Sequence, residues 1–124
     1  MEEKLKILIA EDEVAIARAL NLKLTHEGFE SKVAINGQEA IENLKKEKFD
    51  LLILDLIMPQ LDGFGVLAEI KASGIKIPTI IISNLSQQED INKAKEMGAN
   101  HFFVKSETPI SDIVKKIKQD LKKE

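Results

Sequence analysis

The chain is 124 residues long, 44% hydrophobic and 31% charged, with no cysteine and a net charge of −3. Those figures fit one soluble globular domain, residues 1–124, and exclude intrinsic disorder, a disulfide scaffold, a zinc ribbon and a thiol enzyme. The mild negative charge gives no general pull toward nucleic acid, and no apolar run approaches the ~20 residues of a membrane span. Without bridges or a signal peptide, the expected compartment is the cytoplasm.

Five short β-rich apolar runs alternate with helical patterns from end to end. The first run, Leu5–Ala10, precedes Ala17, Leu20 and Leu24 at helical spacing, with Gly28 as the stop. Phe29–Ala34 alternates polar and apolar residues, which predicts an edge strand; Asn36 and Glu39 then have the spacing of a capping box before Ala40, Ile41 and Leu44. Phe49–Asp55 and Pro78–Ser83 are nearly continuous apolar runs, as strands covered on both faces should be, and Gly74 ends the helix between them. Ser86 and Glu89 form a second capping-box pair ahead of Ile91 and Ala94, with Gly98 at the stop. After the last run, His101–Lys105, Thr108 and Pro109 read as the N-cap and first residue of a closing helix that carries Ile110, Ile113, Val114, Ile117 and Leu121. The pattern predicts a (βα)5 α/β fold of the flavodoxin-like type. It is an open doubly wound parallel sheet of strand order 2-1-3-4-5, with right-handed crossovers and helices on both faces.

Polar residues interrupt the apolar runs at their carboxyl ends. Glu11, Asp12 and Glu13 follow the first run, Asp55 ends the third, Ser83 the fourth and Lys105 the fifth. Ligands of an open parallel sheet bind beyond the carboxyl ends of the strands, where strand order reverses. That point lies between strands one and three, so Asp12 meets Asp55, flanked by Ser83 and Lys105. Carboxylates gathered in one crevice invite a hard divalent cation such as Mg2+. A carboxylate is also a nucleophile toward phosphorus, and a metal, a cation and a hydroxyl donor neutralise the phosphoryl oxygens. Singly, each residue has a plainer role: helix-dipole complement, turn former or solvated lysine. All four strand ends together point to phosphoryl transfer onto Asp55.

The sequence resembles a response-regulator receiver domain of two-component signalling over essentially its whole length. The resemblance rests on Glu11-Asp12, on the run from Asp55 through Met58, Pro59 and Asp62 to Gly63, on Ser83, and on Phe102-Phe103-Val104-Lys105. It implies that Asp55 is the phosphoacceptor, supplied by a histidine kinase or phosphotransfer protein. It also implies that Asp12, Asp55 and the Ile57 carbonyl hold Mg2+, with Glu11 acting mainly through water. Lys105 would pair with the phosphoryl group, Ser83 would move to bond it, and Phe102 would change rotamer with Ser83. The signal would be read on the face formed by the fourth helix, fifth strand and fifth helix, and Ile57, Asn84 and Leu85 would set the lifetime of the phosphorylated form. The expected activity is limited to self-phosphorylation and slow autodephosphorylation, without substrate turnover. No output domain is expected within the chain; stand-alone receiver and receiver portion of a longer regulator both remain open. The expected assembly is a monomer or a weak phosphorylation-dependent dimer, without direct nucleic-acid or membrane binding.

Three features depart from the family pattern. Ser106 follows Lys105 where proline is usual, so the loop there is expected to take another path. Asn84 stands where a small residue is usual, and Gly98-Ala99-Asn100-His101 lacks the acidic pair of receivers that dimerise through their last helices. An aspartate-nucleophile phosphohydrolase is the competing class, but the position two residues after Asp55 holds Ile57, which cannot transfer a proton. A flavin or nucleotide binder lacks its glycine-rich loop. His26 and His101 read as structural or exposed, Met58 and Met97 as core filler, and the terminal lysines Lys115, Lys116, Lys118, Lys122 and Lys123 as complements to a helix C-terminus.

Overall fold

Apolar runs too short for helices and covered on both sides become the central strands. The computed structural model describes residues 4–85 and 87–121. The elements are β1 Lys6–Ala10, α1 Val14–His26, β2 Glu30–Ala34, α2 Gly37–Lys46, β3 Leu51–Asp55, α3 Gly63–Ala72, β4 Thr79–Ser83, α4 Gln88–Glu96, β5 His101–Val104 and α5 Ile110–Leu121. The five strands form one parallel sheet in the order β2-β1-β3-β4-β5, as the pattern predicts. β2 is at an edge and alternates in exposure, while β3 and β4 are buried throughout.

Successive residues of a strand face opposite sides of the sheet. Leu8, Leu52, Leu54 and Ile81 pack against Ile41 and Leu44 of α2, Val66 and Leu67 of α3, and Ala94 of α4. Ile7, Ile9, Ile53 and Ile80 pack on the other side against Leu20 and Leu24 of α1 and Ile113 and Ile117 of α5. The two-against-three division follows from topology. The chain steps outward from β1 to β2 and then reverses across β1 to β3, so right-handed crossovers put α1 opposite α2, α3 and α4. Burying a leucine or isoleucine contributes about 1.5–3 kcal/mol, and the two faces together form the core.

Helix ends largely follow the expected chemistry. Gly28, Gly74 and Gly98 adopt φ of 94°, 72° and 111° just past α1, α3 and α4. Asn36 Oδ1 accepts from the Glu39 N–H at 2.7 Å, but Glu39 Oε1 accepts from the Ile35 N–H, one residue before the amide of a standard box. Ser86 lies outside the described residues; α4 is preceded by Gln87, which makes no side-chain cap bond. α5 begins one residue later than expected, with Pro109 O accepting from the Asp112 and Ile113 amides. The expected strands run one or two residues too long. Leu5, Phe29, Phe49 and Pro78 precede the ladders that their apolar character extends, and Lys105 leaves β5 to open a 3-10 turn, Lys105–Glu107. That turn is the path the chain takes where proline is absent.

Each helix returns antiparallel to the strands. At the amino-terminal edge of the sheet, a cleft of about 430 Å³ is lined by Phe49 and Ile77 and rimmed by Lys45, Lys46, Lys48 and Lys76. The carboxyl edge carries the acids.

Candidate functional site

Register brings the strand ends level. Ala10 pairs with Leu54, Asp55 with Ile82 and Ser83 with Val104, so the residues beyond these pairs meet at one rim. Glu11 leaves β1 with its N–H bonded to Ala34 O, which turns its side chain into the structure; it is fully buried. Asp12 beside it is exposed. Carboxylate oxygens of Glu11, Asp12 and Asp55 lie within 4.8 Å of one another. Asp55 is 3% exposed, with Oδ1 accepting from the Ile57 N–H at 3.3 Å and Oδ2 bonded by Lys105 Nζ at 3.1 Å.

Lys105 crosses from β5 into this cluster. Its ammonium lies 2.7 Å from Glu13 Oε1, 2.9 Å from Glu11 Oε1 and 3.1 Å from Asp55 Oδ2, and its side chain is only 10% exposed. Burial pushes the Glu11 carboxyl up to about 7, against the bonds it receives from the Glu13 amide and Lys105. Burial also raises Asp55, opposed by the charge and hydrogen bond of Lys105. For Lys105 burial acts downward, but its bonds to Glu13 and Glu11 and the charge of Asp55 outweigh it and hold the ammonium above its ordinary range. Three carboxylates thus contact one ammonium, with Asp12 beside them.

The residues fit a divalent cation. Glu11 Oε1 is buried and makes no hydrogen bond, although it lies within ion-pair distance of Lys105. An oxygen in that position, inside a cluster of three converging carboxylates, suits the all-oxygen preference of Mg2+.

The remaining expected residues are distributed around this centre. Ser83 is buried at the end of β4, where its Oγ accepts from the Leu85 N–H at 3.1 Å and bonds neither Asp55 nor Lys105. Ile57 is 58% exposed beside Asp55. Leu85 packs in part against the core on the α2–α4 side, as does Phe102 of β5. Asn84 Oδ1 accepts from the Ser106 N–H at 3.1 Å. His26 is exposed; His101 pairs with Asp120 of α5 at 2.9 Å. Met58 is buried and Met97 partly so. Lys118 bonds Glu27 at the end of α1, while Lys122 and Lys123 lie outside the described residues.

Two contributors escape sequence reading. Glu13 reads as a dipole complement, but it holds Lys105 across 92 positions. Asp62 Oδ1 caps α3 through the Gly65 N–H at 2.8 Å; glycine at the third helical position hides the capping-box signal. That cap matters to the site because the loop from Asp55 to α3 is clamped there. A Cβ on Gly63 would stand 2.5 Å from Asp55 O and 2.7 Å from Leu56 Cα.

Comparison with known proteins settles the family. The family described as the response regulator receiver domain matches residues 7–118. This chain belongs to that family. The receiver is 37% identical over 107 residues to a probable transcriptional regulator, ycf27, of Porphyridium aerugineum, covering 86% of this chain and 44% of that protein. It is 31% identical to the transcriptional regulatory protein RprY of Bacteroides fragilis, over 85% of this chain and 44% of that one. The receiver therefore spans under half the length of these curated relatives. Among solved structures, the receiver domain of Francisella response regulator 1452 superposes with a TM-score of 0.88 at 27% identity, covering 94% of this chain and 95% of that one. The chain is a response-regulator receiver, a module of phosphorylation-based two-component signalling. Among the described residues no helix is long and apolar enough to cross a membrane.

Proposed function

We propose that Asp55 is the phosphoacceptor and that a histidine kinase or histidine phosphotransfer protein is the donor. The observation that carries this reading is the convergence on one buried aspartate of an ammonium from the turn after β5 and two further carboxylates from the segment after β1. An Asp55 oxygen attacks phosphorus as the bond from phosphorus to the donor's imidazole nitrogen breaks. The imidazole leaves with that electron pair and takes a proton from solvent, and Asp55 becomes an acyl phosphate. Mg2+, held by Asp12, Asp55 and the Ile57 carbonyl with Glu11 behind them, would supply positive charge to the phosphoryl oxygens.

Lys105 already contacts Asp55 Oδ2 and exchanges that contact for a phosphoryl oxygen. Ser83 releases the Leu85 amide and donates its hydroxyl to the same group. Phe102, half-buried beside β4, follows into the space vacated, and the change is read on the α4–β5–α5 face. Ile57 and Leu85, both apolar, and Asn84 limit the approach of hydrolytic water. The receiver modifies itself and turns over no other substrate.

Intact-mass measurement after incubation with Mg2+ and a small acyl-phosphate donor tests the assignment. One added phosphoryl group is expected in wild type and none in Asp55→Asn or with chelator. Equal labelling of Asp55→Asn would overturn it.

A further inference from the structure

We infer that Asn84 is a positioning residue that ties the segment after β4 to the turn after β5, so that Ser83 and Lys105 keep a fixed mutual placement. The tie is the bond from the Ser106 N–H to Asn84 Oδ1, at 3.1 Å. Each end lies one residue beyond a group that handles the phosphoryl. Ser83 closes β4, and Lys105 opens the 3-10 turn. The register between these strands ends at Ser83 with Val104, and among the described residues no backbone–backbone bond joins 84–87 to 105–107. The Asn84 side chain replaces the ladder where it stops.

Both partners must be of the right kind. Position 84 supplies an acceptor that reaches across the gap, and position 106 supplies a backbone N–H, which proline would lack. The two departures from the family pattern at this rim therefore complement each other. Lys105 is fixed from two sides. Its ammonium is held by Glu13, Glu11 and Asp55, and its backbone is tethered through Ser106. Ser83 lies buried at the other end of the tie. A phosphoryl group on Asp55 must be met by the Ser83 hydroxyl and the Lys105 ammonium together, and displacement of catalytic groups by about 1 Å can cost up to ~100-fold in rate. The effect on rate rests on the proposed role of Asp55; the tie itself does not.

The test compares wild type with Asn84→Ala, Ser106→Pro, the double variant and Ser106→Ala. The first readout is the phosphorylation rate at saturating acyl-phosphate donor and Mg2+. Asn84→Ala and Ser106→Pro are each expected to slow it about three- to tenfold, the scale of one lost hydrogen bond. The double variant should be no slower than the slower single, and Ser106→Ala, which keeps the N–H, should match wild type. The second readout is hydrogen exchange at the Ser106 amide, which needs no phosphorylation. Protection should be present in wild type, lost in Asn84→Ala and retained in Asn84→Asp, which keeps an acceptor oxygen. A faster Asn84→Ala with Ser106→Pro unchanged would mean that Asn84 acts only by screening the site and positions nothing, and would overturn the proposal, as would independent, additive effects. If wild type takes no phosphate, the reading of Asp55 fails, and amide exchange still decides whether the tie exists. An unprotected Ser106 amide in wild type would end it.

Discussion

Glu11 and Asp12 are adjacent and chemically alike, yet one is fully buried and the other exposed. Glu11 is bonded by the Glu13 amide and by Lys105, so it belongs to the folded framework as well as to the candidate cation site. Asp12 mainly adds negative charge to a cluster that already has too much. Asp12→Asn should therefore melt at or above wild type without metal while losing about tenfold or more in Mg2+ affinity. Calorimetry and Mg2+ titration followed by NMR check both halves; a large fall in metal-free melting temperature would make Asp12 structural. Ile57 and Leu85 differ in a parallel way, Ile57 presented to solvent and Leu85 packed in part on the core. Neither can hydrogen-bond an attacking water, so the phosphorylated receiver should be long-lived. Ile57→Asn/Leu85→Glu should shorten that lifetime about tenfold or more, a barrier change of about 1.4 kcal/mol. Loss of the phosphoryl group after donor removal measures it, and a double variant no faster than wild type would free these side chains of the role.

At the scale of elements, most of the fold was legible because both periodicities were clean. Leu51-Leu52-Ile53-Leu54 allows no amphipathic reading, and Ile113, Val114 and Ile117 allow no other period than a helix's. Boundaries were less legible. Phe49 is as apolar as a strand residue, but the chain joins the sheet only from Leu51, with the Asp50 amide bonded to Lys6 O. Asp55, Asp12, Ser83 and Lys105 could be placed because strand ends announce themselves; Glu13 could not, since its partner is fixed only once β1 and β5 lie in one sheet. Glu47 was similarly silent. It closes α2 and takes bonds from Lys6 of β1 and Lys32 of β2 at 2.7 and 2.9 Å. Those bonds hold its carboxyl down at about 2, against an ordinary 4.5. A depressed carboxyl stabilises the fold above its unfolded value and loses that contribution as pH falls from 4.5 through about 2. Glu47→Gln should therefore melt below wild type at neutral pH, with the gap closing over that acid window. A gap that persists unchanged to pH 2 would point to packing instead.

On the scale of the whole molecule, the sheet separates charge. Glu11, Asp12, Glu13 and Asp55 gather around Lys105 at one edge, and Lys45, Lys46, Lys48 and Lys76, with Glu47 among them, line the cleft at the other. The helices return antiparallel to the strands, so their positive ends point toward the acids and their negative ends toward the lysines. Mg2+ binding should weaken steadily as NaCl rises from 0.05 to 0.5 M, since the Debye length shrinks from roughly 14 to 4 Å over that range. Titrations at several salt concentrations check this; a flat response would mean that only the contacting carboxylates matter. The two charged edges give the receiver an electric axis along its strands. In the field of a charged partner such a body turns before it touches, presenting its acidic edge to a cationic surface and its lysine edge to an anionic one. A phosphoryl group on Asp55 would add negative charge at one pole, so the proposed modification would also lengthen the axis by which the molecule is steered.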